Sequence, residues 1–126
     1  MNTRTVRLRR LLLASVALFL LTSSVALAQP ADVKKARASF KKAEVHFKLG
    51  EFKEALPLYK AAFRAKAMPE FLFNIGQCHR HLADCKKANF FFRQFLMQRP
   101  KTPHRAKLEK LIKECEAHIK AGTKPK

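Results

Sequence analysis

The sequence predicts an all-α protein: two antiparallel helix hairpins followed by a C-terminal capping helix. Three observations carry this. Only three of the 126 residues are glycine (Gly50, Gly76, Gly122), too few for the many tight turns of an all-β chain. Hydrophobic residues make up 48%, which excludes a mainly disordered or collagen-like protein. Downstream of an N-terminal address, apolar residues recur at helical spacing in five stretches bounded by capping residues.

The address comes first. Residues 1–10 carry four arginines and no acid, Leu11–Leu21 is apolar except for Ser15, and Val25-Ala26-Leu27-Ala28 ends in small residues. A positive segment, an apolar run and an A-x-A site describe a secretory signal peptide over residues 1–28, cut between Ala28 and Gln29. The competing reading is an uncleaved anchor, since Leu11–Ala28 sits at the short end of what spans a bilayer. The residue immediately after the cut is Gln29 rather than cysteine, which disfavours a lipid anchor. Arg9-Arg10 followed by so apolar a run suits the general secretory route better than a twin-arginine one. The protein is therefore expected in the periplasm or outside the cell. Losing four of the 27 basic residues leaves 23 against 9 acidic ones, a net of +14. Intracellular nucleic acid drops out as an expected partner.

Residues 29–120 form the expected domain. The first helix opens at Asp32, a good N-cap, and stops at Gly50, a good C-terminal signal. The second spans about Glu51 to Lys66 and ends before Pro69. It contains Pro57, which deletes a backbone hydrogen bond worth about 3 kcal/mol in an ideal helix interior. Two turns from the helix start, a slight bend is expected rather than a break. The third covers about Glu70–Leu82. Asp84 caps the fourth, which stops at Pro100. Thr102-Pro103, an N-cap and N1 proline, opens the fifth, reaching about Ile119. Residues 121–126 are expected to be a disordered tail.

Sliding the chain by 33 residues aligns Phe40 with Phe73, Ala43 with Gly76, His46 with His79 and Leu49 with Leu82. It also aligns Glu51 with Asp84, Ala55 with Ala88 and Tyr59 with Phe92. Five positions in 32 are identical, but the matches fall where helices must touch. Small residues stand where two helices cross closely, and aromatic ones stand one turn later. On the stretches Ala43–Ala62 and Asn74–Phe92 the chain resembles the tetratricopeptide repeat (TPR) family. The resemblance implies a right-handed α-solenoid with repeats at about 36–68 and 69–102 and a capping helix at 103–119. Phe95 departs from the pattern by replacing the small residue that Ala62 supplies, so the second hairpin should pack more openly on the fifth helix. Two repeats are fewer than the three usually needed for a stable stack. The stripe Leu108, Leu111, Ile112, Cys115 and Ile119 is expected to close it, its aliphatic members contributing about 1.5–3 kcal/mol each when buried.

The resemblance also implies a concave face that takes a protein or peptide. It would comprise Phe40, Glu44, Phe47 and Lys48 from the first repeat, with Phe73, Asn74, Gln77, Arg80 and His81 from the second. Aromatic anchors beside polar and cationic groups favour an acidic partner. Phe40 and Phe73 could equally be ordinary core. The set with which some family members clamp a terminal carboxylate is incomplete, because Phe40 and Glu44 occupy two of its positions. Phe90 is expected to be exposed, a docking point for an envelope component or a second copy.

Cys78 and Cys85 flank the turn of the second hairpin at similar distances, so they are disulfide candidates in an oxidising compartment. The competing reading is two buried thiols. Cys115 is read as a core thiol. Ile75 stands where a haem C-x-x-C-H motif needs its first cysteine, and His79 and His81 diverge on a helix. No metal or cofactor is expected. No phosphate loop, nucleophile elbow or H-E-x-x-H is present, so no catalysis is expected either. Two functions remain. One is an exported adaptor with a peptide groove. The other is a basic envelope protein binding anionic polymers (lipopolysaccharide, wall polymer or extracellular nucleic acid) through Lys and Arg patches.

Overall fold

A computed structural model describes residues 30–124. They contain five helices: α1 (Pro30–Lys48), α2 (Phe52–Ala65), α3 (Pro69–His81), α4 (Cys85–Gln98) and α5 (Arg105–Ala121), with no strand among the described residues. The expected signal segment and the cut between Ala28 and Gln29 lie outside them. No helix of the described residues is long and apolar enough to cross a membrane. Each helix packs on its successor in the chain.

The 33-residue period is written into the backbone of the two hairpin turns. After α1, Leu49 N–H donates to Val45 O, Gly50 to Phe47 O, Glu51 to His46 O and Ala55 to Glu51 O. After α3, Leu82 donates to Cys78 O, Ala83 to Arg80 O, Asp84 to His79 O and Ala88 to Asp84 O. Every pair is offset by the repeat length. The bonds spanning five and three residues form a Schellman closure, which needs a left-handed residue just past the helix. Gly50 supplies it at φ 78° and Ala83 at φ 61°. A β-carbon in that region costs roughly 1–2 kcal/mol, so the second turn carries a strain that the first avoids. Asp84 then caps α4 through its side chain, accepting from Lys87 N–H at 3.1 Å.

Three apolar clusters sit between the helices, the smallest formed by Ala36, Ala62 and Phe71. Ala43, Ala55, Tyr59, Ile75 and Cys78 join α1, α2 and α3. Leu72, Cys85, Ala88, Phe92, Phe95, Leu108, Ile112 and Cys115 join α3, α4 and α5. Phe63 and Phe91 pack against both and make the interior continuous. Helix α5 is held on α4 by three side chains spaced four apart. Cys85 meets Cys115, the Asn89 amide donates to Ile112 O at 3.2 Å, and Arg93 pairs with Glu116.

Several sequence expectations need correction. All three cysteines are free thiols in the structure, and Cys78 and Cys85 are not brought together, because they belong to different cores. The reason is facing: Cys85 is the first residue of the row 85-89-93 that α4 turns toward α5, away from α3. Its sulfur lies 2.7 Å from that of Cys115. Thr102 does not cap α5. It accepts from His104 N–H at 3.3 Å within a preceding turn, and the helix starts two residues beyond Pro103. Ile119 is 40% exposed and not part of the closing stripe, whereas Leu108, Ile112 and Cys115 are buried. Helix α5 continues to Ala121 and closes at left-handed Gly122, where Thr123 N–H donates to His118 O; the last two residues of the expected tail lie outside the described ones. As expected, Pro57 does not break α2; the helix runs through it, and the proline is exposed. Phe95 is 5% exposed, packed with Leu72 of α3 and Leu108 of α5, and its ring also borders a cavity.

The two turns differ in one atom that matters, and substitution should equalise them. Ala83→Gly should raise the unfolding free energy by about 0.5–1 kcal/mol, and Gly50→Ala should lower it by about 1 kcal/mol. A Cβ at Gly50 meets nothing within 4 Å, so backbone strain alone sets the second value. Urea unfolding of the parent and both variants reads the effect. Two shifts of the same sign would contradict the shared closure.

Candidate functional site

Residues of α1, α3 and α5, with Phe95 of α4, border a half-open cavity of about 680 Å³. Its apolar floor is Phe40 from α1, Phe71 and Phe73 from α3, and Phe95 from α4. Each ring is fixed by a neighbour. Phe40 lies 5.5 Å from Phe71 and 5.9 Å from Tyr59, and Phe73 lies 6.1 Å from Phe92 and 6.0 Å from Phe95. Phe40 and Phe73 are only half-buried, so they belong to the core and to the cavity at once. Val33, Ala36 and Met68 extend the apolar lining, and Asn74 contributes an amide.

The rim is cationic. Arg37, Lys66 and Lys107 stand around the opening with His104, and the one carboxylate there, Glu70, is engaged by Arg99 at 2.8 Å. Among the described residues no carboxylate pairs with Arg37, Lys66 or Lys107. A second cleft of about 650 Å³ opens between α4 and α5 and differs in kind. Its arginines are already matched, Arg93 by Glu116 and Arg105 by Glu109. The first cleft sets three unmatched cations over the larger apolar floor, whereas the second keeps one, Lys113, among the described residues.

The nine expected groove residues divide. Phe40, Phe73 and Asn74 line the cavity. Glu44, Phe47, Lys48, Gln77, Arg80 and His81 do not. Glu44 accepts the hydrogen bond of Tyr59 Oη at 2.8 Å and reaches Lys48 at 3.9 Å, so it serves the hairpin interior. Burial, then the bond to Glu44, push the Tyr59 hydroxyl far above its ordinary pKa, which keeps it a donor. Phe47, Phe52 and His81 form an aromatic knot at the opposite end of the stack, with His81 stacked on Phe52 at 4.1 Å. Gln77 accepts from Arg80 at 3.2 Å. Sequence reasoning missed Arg37, Lys66, Phe71, Phe95 and Lys107. The signal for Arg37 was available, since it precedes Phe40 by one turn; those for Phe95 and Lys107 were not, because they depend on where α5 docks. Phe90 is exposed at 57%, as expected, and lies outside the cavity.

The remaining titratable groups are structural. His79 is 4% exposed, stacks on Phe91 at 5.5 Å and leaves Nε2 without a partner. Desolvation by burial, aided by Lys60 and Lys87 and opposed by Asp84, holds its pKa below the ordinary value. Desolvation and the neighbouring Arg80 do the same to His81. Partial burial pushes Asp84 upward, but hydrogen bonds and charge from Lys87 win and lower it. Among the described residues no group of three or more His, Cys, Asp or Glu is placed to hold a metal ion.

No family model matches the chain, and no curated protein and no solved structure matches it either.

A buried neutral histidine makes stability fall with acid. The folded pKa of His79 lies below its unfolded value of about 6.5, so the unfolded chain takes up the proton first. The His79 contribution is complete above about pH 6.5 and is lost as pH falls below it. The urea midpoint should therefore decline from pH 7 to pH 5, and His79→Leu should decline less steeply than the parent. An identical slope in the two proteins would remove His79 from the account.

Proposed function

We propose that the chain is an exported, TPR-like adaptor that holds an acidic protein segment in the cavity between α1, α3 and α5 and performs no chemistry of its own. The carrying observation is the cavity: an aromatic floor of four phenylalanines beneath Arg37, Lys66 and Lys107, none with a carboxylate partner among the described residues. The floor offers burial to one or two large apolar side chains. The rim favours acidic residues on either side of them. The TPR assignment is supported by the 33-residue offset, which recurs in the turn hydrogen bonds and in the paired helix crossings. A right-handed solenoid is the arrangement that such a repeat builds when consecutive hairpins stack. Export rests on the pattern of residues 1–28 and places the acidic partner in the cell envelope or outside it.

A groove anchored by aromatic burial and a surface anchored by many lysines respond differently to salt. A fluorescein-labelled peptide alternating glutamate with leucine is a suitable probe, titrated by anisotropy into the full chain. Phe40→Ala and Phe73→Ala should each weaken binding by at least about tenfold, the scale of losing one central anchor. Arg37→Glu and Lys107→Glu should weaken it by several-fold, while the remote Lys53→Glu and Lys86→Glu should leave it unchanged. Raising salt from 50 to 200 mM should cost roughly tenfold or less, against roughly 10³–10⁵ for a polymer held by six to ten phosphate contacts. Equal losses for all four charge reversals, with no effect of the phenylalanines, would favour the polymer-binding reading instead.

A further inference from the structure

We infer that Cys85 and Cys115 are the two halves of a disulfide that fastens the closing helix α5 to the second hairpin. The inference goes beyond the groove reading and stands whether or not the cavity takes a peptide. Four observations carry it. The two sulfurs are 2.7 Å apart, and both residues are buried, at 5% and 1% exposure. Their backbones are held in register without them, because Asn89 bonds Ile112 O and Arg93 pairs with Glu116 along the same row. The third cysteine, Cys78, is enclosed in the other core among Ala43, Ala55, Tyr59 and Ile75, so the fold selects one pairing among three. Finally, α5 is the element most in need of a fastening. It packs on α4, it ends the stack, and a stack of two repeats is one short of the usual minimum.

The 30-residue separation also makes this the more useful bond. A cross-link restricts the unfolded chain more when it closes a longer loop, and the Cys78–Cys85 alternative would close far fewer residues. The chemistry is a two-step exchange with a disulfide donor, either oxidised glutathione or a protein thiol oxidase of the export compartment. One cysteine thiolate attacks a donor sulfur, forming a mixed disulfide and releasing one donor thiol. The other cysteine then attacks the mixed disulfide, forming the Cys85–Cys115 bond and releasing the second donor thiol. Two cysteine thiols lose two protons and two electrons, and the donor disulfide gains them. In the closed stack, burial and the contact with Cys85 push the Cys115 thiol up to about 12, so it is protonated and shielded there. The exchange therefore belongs to folding, with α5 still undocked, rather than to the finished protein.

The full chain, unfolded in urea with reductant, is refolded by dilution into a mixture of reduced and oxidised glutathione. It is then alkylated under denaturing conditions and digested with trypsin without reductant. The protein should be two hydrogens lighter than its reduced form, and a single linked peptide should join residues 81–86 to residues 114–120. Cys78 should carry the only alkyl group. Reductant should lower the melting temperature by at least about 10 °C. Cys78→Ser should keep both the linked peptide and the sensitivity to reductant. Three alkylated cysteines, a linkage through Cys78, or a melting temperature indifferent to reductant would overturn the inference.

Discussion

The close crossing of paired helices is the constraint on which the rest of the molecule depends. At Ala43 and Ala55 in the first hairpin, and at Gly76 and Ala88 in the second, the side chains are small enough for the backbones to approach. The three alanines have no exposed surface at all. Tyr59 and Phe92, one turn beyond, fill the space that the crossing leaves and are 1% and 0% exposed. The fit is tight enough that a β-carbon at Gly76 would stand 2.6 Å from two atoms of the Phe92 ring. Interiors this dense tolerate neither a gap nor an added methyl group without rearrangement. The crossing fixes the helix pair, the pair fixes the left-handed closures at Gly50 and Ala83, and the repetition of both places Phe40 and Phe73 on the same side of the stack. The cavity is thus a consequence of how the hairpins pack.

Much of the fold was legible because its signals are local. Gly50 past α1, the Asp84 cap and the 33-residue spacing of small and aromatic residues depend on neighbours within one or two turns. What failed depended on facing and docking. Cys78 and Cys85 stand symmetrically about a turn in the sequence, yet helix periodicity turns one into the first core and the other toward α5. The Thr102-Pro103 pair has the composition of a helix start, but the chain needs one more turn before α5 can align with the 85-89-93 row. The groove was half legible for the same reason. Phe40, Phe73 and Asn74 follow from the repeat, whereas Phe95 and Lys107 enter only because α5 closes that face. Gln77 and Glu44 were drawn into bonds with Arg80 and Tyr59 that spacing alone does not announce.

Net charge says little by itself. Most of the lysines and arginines coat exposed faces, and among the described residues six of them are engaged by carboxylates. Exposed pairs of this kind contribute little to stability, about 0–1 kcal/mol each. Their consequence lies elsewhere: the two clefts of similar volume become different sites. Where Arg93 and Arg105 are matched by glutamates, an acidic ligand finds one unpaired cation, Lys113, among the described residues. Over the phenylalanine floor, Arg37, Lys66 and Lys107 have no carboxylate partner among the described residues. In the proposed reading, position relative to apolar surface, rather than the total of positive charge, selects the chemistry of the partner.

The central claim is that one face of this stack binds and the others do not. Amide chemical-shift mapping tests it most directly, with the full chain isotope-labelled and the glutamate–leucine peptide added in steps. The account predicts shifts concentrated on Arg37, Phe40, Phe71, Phe73, Asn74, Phe95 and Lys107, with the cleft between α4 and α5 silent. Shifts spread over the lysine-rich outer faces of α2 and α4, with the cavity residues unmoved, would contradict it.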